Sequence, residues 1–177
     1  MLTLILLRHA KSSWEDPELP DFNRPLAKRG KKAAPAVGAA LAKLGLRPDL
    51  ILCSGAERAR QTLALLLPEF GAQSPPIVYD DKLYMALPDG LLAGLHAIKP
   101  DHEGHSPQCV MMVGHNPGFE ELAMVLAGDG PAEELAEMSE KFPTAAAAVI
   151  SFDAESWGEV EPGAGRLNYF LTPKRLP

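Results

Sequence analysis

Six segments of the chain carry apolar residues almost without interruption, and several stretches between them carry apolar residues at helical spacing. The runs are 2–7 (LTLILL), 49–53 (DLILC), 76–79 (PIVY), 109–113 (CVMMV), 147–152 (AAVISF) and 167–171 (LNYFL). A run of about four to eight apolar residues without polar alternation fits a strand buried on both faces. Residues 27–44, 56–67, 88–98 and 118–127 are predicted helices. The first is alanine-rich and ends at Gly45, a predicted C-cap. Pro35 within it either breaks this helix or sits near its start. Pro68 is expected to stop the second. Residues 134–142 (ELAEMSEKF) read as a solvated helix or lid, and 100–108, 128–143 and 153–165 as surface loops or excursions.

Buried strands alternating with helices predict an α/β fold, a single-domain three-layer α/β/α sandwich over residues 1–177 with a mostly parallel central sheet. The length suits one domain of about 100–200 residues. Composition changes this picture little: 46% hydrophobic and 23% charged residues are ordinary for a globular protein. Charge adds an exclusion. A net charge of −6 argues against nucleic acid as a partner, because a phosphate backbone needs a basic footprint. Cys53 and Cys109 lie inside apolar runs and read as core thiols, which fits a reducing compartment. No apolar run reaches membrane length and the first lacks a basic leader, so a cytoplasmic protein without a membrane partner is expected. No signal for an oligomeric partner is legible.

The candidate chemistry sits where strands end. Arg8 and His9 follow the first run, Ser54 and Gly55 the second with Arg58 just beyond, and Gly114, His115 and Asn116 the fourth. In open α/β sheets ligands bind beyond the carboxyl ends of the strands. If these three strands are parallel neighbours, two arginines and two histidines converge. Arginine offers phosphate a planar fork of donors and a permanent charge. An imidazole in a positive field stays neutral, as a nucleophile must. That set suits phosphoryl transfer, which needs positioning and charge neutralisation.

The segments LLRHAKSSW, SGAERARQT and MVGHNPG resemble the marks of the histidine phosphatase (phosphoglycerate mutase-like, RHG) superfamily. FNRPLAKRG, KLYMA, VGHNPGFEEL, KFPTAAAAVISF, RLNYF and PKRL further resemble its SixA-like phosphohistidine phosphatase subgroup. The resemblance implies that His9 accepts the phosphoryl group and that Arg8, Arg58 and His115 bind it, followed by hydrolysis of the phosphohistidine. It implies no cofactor and no metal, and as substrate a phosphorylated protein or small phosphorylated molecule. Arg58, rather than Arg60, matches the Arg-Ala-x-x-Thr pattern. Two departures stand out. Ala10 replaces the superfamily glycine, which a negative φ would tolerate. YDDKLYMALPDG lacks the glutamate with which larger relatives protonate an alcohol leaving group; Asp81 is the nearest match by spacing.

Other readings compete. A small-molecule phosphomonoesterase or phosphoglycerate mutase-like enzyme would use the same residues, and a non-catalytic phosphate- or phosphoprotein-binding module would not need His9. Cys-x₅-Arg phosphatase chemistry does not fit, because four residues intervene between Cys53 and Arg58 and six between Cys53 and Arg60. His96, His102 and His105 form a rival metal set, though loop histidines are more often solvated. Arg58 could instead pair with Glu57 or Glu69. Met111, Met112 and Met124 read as core, and Trp14 and Trp157 as flanks of a pocket mouth.

Overall fold

Strand β1 (Leu2–Arg8) accounts for the absence of polar alternation in the first apolar run. Leu2, Leu4 and Leu6 pack into one core, while Ile5 and Leu7 pack into another on the opposite face. Successive side chains of a strand point to opposite sides, so a strand covered on both must be apolar throughout. The computed structural model describes residues 1–100 and 104–176. Its other strands are β2 (Leu50–Cys53), β3 (Ile77–Tyr79), β4 (Cys109–Gly114), β5 (Ala127–Asp129), β6 (Ala147–Phe152) and β7 (Gly165–Leu171). The helices are α1 (Lys28–Lys43), α2 (Glu57–Leu66), α3 (Pro88–His96), α4 (Gly118–Leu126) and α5 (Ala132–Glu140).

The seven strands form one sheet in the order β3-β2-β4-β1-β6-β7-β5. Pairings β3-β2, β2-β4, β4-β1 and β7-β5 are parallel, while β1-β6 and β6-β7 are antiparallel. One core lies between the sheet and α1 and α2, through Val37, Leu41, Leu63 and Leu66. The other lies under α3, α4 and α5, through Leu91, Leu122, Leu126 and Met138. The expected mostly parallel three-layer α/β fold is therefore observed.

Local signals held in detail at the end of α1. Gly45, at φ +75°, donates to the Ala42 carbonyl and Leu46 to that of Leu41, a Schellman closure. Neither expectation for Pro35 is correct: α1 runs through it. The proline offers no N–H to the carbonyl of Lys31, but buried Ala34, Val37 and Leu41 hold the helix against the core on both sides of it. Pro68 does stop its helix as expected: α2 ends at Leu66 and a 3-10 turn follows at 67–70. The helix expected at 134–142 is α5, and the excursion at 128–143 around it also holds most of β5, a strand too short to leave a pattern.

Packing ties α1 to the loop after His9. A Cβ on Gly30 would lie 2.2 Å from the Lys11 carbonyl oxygen, so only glycine lets the helix approach that backbone. Ala27 N–H also donates to this carbonyl, at 2.8 Å.

Candidate active site

Sheet register gathers three strand ends. Cys53 of β2 pairs with Val113 of β4, and Gly114 of β4 pairs with Arg8 of β1. The residues that follow, Ser54, His115 and His9, therefore emerge side by side. They open into a cleft of about 380 Å³ whose walls include Arg8, His9, Asp21, Arg58, Tyr84 and His115. The structure brings all four sequence-predicted site residues to this cleft. A larger cavity of about 720 Å³ lies between α1, α5 and residues 172–176; it meets the cleft only at Thr144 and contains no histidine.

His9 is held by partners that define its proton. Nδ1 lies 2.7 Å from the Ala10 carbonyl, which only accepts, so Nδ1 carries the hydrogen. Nε2 accepts from Arg58 Nε at 3.2 Å, so its lone pair faces a guanidinium in the cleft. Burial, followed by the positive fields of Arg58 and Arg8, pushes His9 down from 6.5 to about 4, against the opposing bond to Ala10. The imidazole is neutral at neutral pH. The backbone is equally constrained: His9 N–H donates to the Gly114 carbonyl, and Ala145, at φ +61°, donates to the carbonyls of both Arg8 and His9. Ala10 keeps a negative φ, as its replacement of glycine required.

Arg58, in the first turn of α2, is 4% exposed. It pairs with neither Glu57 nor Glu69; Glu57 bonds Gln61 instead. Its NH2 nitrogen donates to Asp21 Oδ2 at 2.9 Å and its NH1 nitrogen to the Asp21 carbonyl. Thr62, one turn further on, donates to the Arg58 carbonyl at 2.6 Å and accepts from Ala10 N–H at 2.9 Å. That hydroxyl gives the threonine of Arg-Ala-x-x-Thr a physical meaning: it pins the His9 loop to the helix that carries Arg58.

His115 stands 5.0 Å from His9, ring centre to ring centre, and its Nε2 lies 2.8 Å from Ser54 Oγ. Ser54 Oγ also accepts from Ala56 N–H and keeps one proton and one lone pair, so it can either donate to or accept from His115 Nε2. Burial, and then the charge of His9 and Arg58, pushes His115 down to about 3. Arg8 anchors NH1 on the Phe142 carbonyl at 2.7 Å. Arg8 Nε and His115 Nδ1 are buried without a partner among the described residues. Arg8 Nε, an unpaired buried donor, together with the Arg58 guanidinium makes a set complementary to an oxyanion.

A family model for the histidine phosphatase superfamily (branch 1) matches residues 4–84. An uncharacterized protein of Mycobacterium tuberculosis strain H37Rv is 38% identical, over 95% of this chain and all of its own length. The solved structure of a candidate phosphohistidine phosphatase SixA from Agrobacterium tumefaciens is 34% identical, with a TM-score of 0.78, covering 97% of this chain and 98% of its own. A second such structure, from Nakamurella multipartitia, is 28% identical with a TM-score of 0.79, covering 97% and 96%. The chain belongs to the histidine phosphatase superfamily. Membership makes it an enzyme of the phosphatase or mutase type.

For a histidine phosphatase, the residues that sequence reasoning missed are as informative as those it found. Asp21 accepts from Arg58, from Arg24 NH1 at 2.8 Å and from Tyr84 Oη at 2.6 Å. The Tyr84 bond, and then those of Arg58 and Arg24, hold the Asp21 carboxyl down at about 2. Both residues fall inside FNRPL-adjacent and KLYMA segments that carried the resemblance but suggested no role. Asp81 does not line the cleft: it is exposed, with its carboxylate against Gly55, and Tyr84 from the same turn reaches the cleft in its place.

Several further expectations change. Trp14 does flank the mouth, with the Arg24 guanidinium 3.1 Å from its ring centre, but Trp157 is wholly buried and donates to the Pro107 carbonyl. Met124 is exposed, unlike Met111 and Met112. Cys53 and Cys109 are pushed up to about 12 by burial, which leaves thiols rather than nucleophiles. His96 bonds the Val160 carbonyl, and His102 lies outside the described residues. Among the described residues no group of three or more histidine, cysteine or acidic side chains is placed to hold a metal, and no helix is long and apolar enough to cross a membrane.

The buried neutral histidines couple folding to pH. Between about 6.5 and 4 the unfolded chain binds a proton at position 9 that the folded chain refuses. Stability therefore rises with pH across that window, is fully present above 6.5, and falls as the medium is acidified. The gap for His9 corresponds to about 3 kcal/mol. Urea unfolding at pH 7 and pH 4 is expected to show a difference that shrinks by about that amount in His9→Asn.

Proposed function

We propose that the protein hydrolyses phosphohistidine, carried by a protein or a small molecule, through a phosphohistidine intermediate on His9. The observation that carries this reading is the His9 ring itself: proton fixed at Nδ1 by Ala10, lone pair at Nε2, and Arg58 beside it. In the first step Nε2 attacks phosphorus. Arg8, Arg58 and His115 neutralise the equatorial oxygens through donors preorganised for charge. In the second step water releases phosphate and restores the neutral imidazole. The similarity to candidate phosphohistidine phosphatases from two bacteria supports the substrate class.

The character of the cleft supports it as well. An alkoxide leaving group needs a general acid, worth about 10²–10⁴ in rate. The one carboxyl lining the cleft among the described residues, Asp21, is held ionised, and the Tyr84 phenol is raised above its usual value by its hydrogen bond to Asp21. A phosphorylated imidazole leaves without such help if its ring is already protonated.

Incubation with ³²P-labelled N-phosphoimidazole, followed by quenching and peptide mapping, is expected to recover acid-labile label on His9. The kcat/KM for phosphohistidine is expected to exceed that for alkyl phosphates by at least about 10²-fold. Label on another residue, or alkyl esters turned over equally fast, would refute the assignment.

A further inference from the structure

Arg58 joins two groups that the reaction keeps apart. Its Nε nitrogen rests on His9 Nε2, whereas its NH1 and NH2 nitrogens rest on Asp21. The end of the Arg58 guanidinium thus holds Asp21 while its Nε faces the nucleophile. A phosphoryl group bound by Arg58 beside His9 would have the Asp21 carboxylate, on the same guanidinium and the same cleft wall, as a neighbour for the displaced group. The carboxylate also retains capacity: Oδ1 receives Arg24, Oδ2 receives Arg58 and Tyr84, and about four acceptor sites exist. At 47% exposure and on the cleft wall, it is accessible to a substrate.

We propose that Asp21 determines specificity for phosphorylated imidazole, its carboxylate receiving the second N–H of the substrate ring while the P–N bond breaks. This deepens the phosphohistidine reading and rests on it.

The step balances without an acid. The substrate ring enters as an imidazolium, phosphorylated on one nitrogen and protonated on the other. His9 Nε2 supplies the electron pair for the new P–N bond and keeps its own proton on Nδ1. The pair of the broken bond returns to the substrate ring, which departs as neutral imidazole with its proton in place. No proton changes hands. Water then attacks the phosphorus on His9; the P–N pair returns to Nε2, and both water protons leave with the phosphate. A carboxylate opposite the ring N–H favours the protonated, easily displaced form, since an opposite charge stabilises a cation. The same carboxylate opposes an ester, whose departing oxygen gathers negative charge and offers no N–H. Ionisation of Asp21 throughout the neutral range, held by Tyr84, Arg58 and Arg24, is consistent with this role and rules it out as a proton donor.

The test compares N-phosphoimidazole with 4-nitrophenyl phosphate, whose leaving group needs no proton. In Asp21→Asn the ratio of their kcat/KM values is expected to fall at least about tenfold, the effect of one charge-assisted hydrogen bond. Any loss from a loosened Arg58 strikes both substrates and cancels in the ratio. Asp21→Glu, which keeps the charge, is expected to retain a larger ratio than Asp21→Asn. A ratio unchanged in Asp21→Asn, whether both rates fall together or neither falls, overturns the proposal. Label transfer from phosphoimidazole separates the two readings: label missing from His9 in the unaltered enzyme defeats the phosphohistidine mechanism. Label on His9 with an unchanged ratio defeats only the role of Asp21.

Discussion

Replacing His9 with asparagine is expected to lower kcat by at least about 10⁴-fold and to abolish phosphoenzyme formation. The magnitude follows from what the ring does. Nε2 is the atom that would bond to phosphorus, and its nearest rivals do not substitute for it: His115 Nε2 is taken up by Ser54, and Cys53 is a buried thiol pushed up to about 12. Asparagine preserves much of the volume and a polar tip, so the loop anchored by Gly114 and Ala145 has no reason to collapse. Rapid-quench labelling and steady-state rates measure the effect. A binding module would behave otherwise, because its ligand affinity would survive the exchange.

Arg58 carries the second large effect. Arg58→Ala is expected to reduce kcat/KM by about 10³-fold, at the lower end of what a transition-state arginine contributes in phosphoryl transfer. Loss of the guanidinium removes three bonds at once: to His9 Nε2, to the Asp21 carboxylate and to the Asp21 carbonyl. It also lets His9 rise from about 4, because the Arg58 field is, after burial, the largest influence lowering it. The acid limb of the rate profile should therefore move to higher pH. Arg58→Lys is expected to restore only a small part of the activity. An ammonium keeps the charge but lacks the planar fork that addresses a histidine and a carboxylate together. If lysine restored most of the rate, charge alone would suffice and the geometry argued for Arg58 would be wrong.

How much of this was legible beforehand depended on whether a feature is written in neighbouring residues. LTLILL announces a strand buried on both faces because alternate residues enter different cores, and both cores are apolar. Gly45 announces a helix end because its φ of +75° disfavours a side chain. Arg8 and His9, Ser54, and Gly114 and His115 stand out because each group immediately follows such a strand. The resemblance to the Arg-Ala-x-x-Thr pattern separated Arg58 from Arg60.

Other features had no local signature. Pro35 looked like a helix breaker, yet flanking contacts to the core carry α1 through it. Trp157 looked like a residue for a pocket rim until the fold enclosed it. Asp81 matched a spacing, but the turn after β3 presents Tyr84 to the cleft and leaves Asp81 outside.

By itself, the sequence determined the layered sheet and the strand ends near which Arg8, His9, Arg58 and His115 stand, because burial on a strand or helix repeats with a short period along the chain. Only the tertiary structure decided that Asp21 meets Arg58, 37 positions away, and Tyr84, 63 positions away. The physical reason is that such contacts depend on the paths of two loops in space, and no periodic pattern of apolar residues encodes where a loop returns.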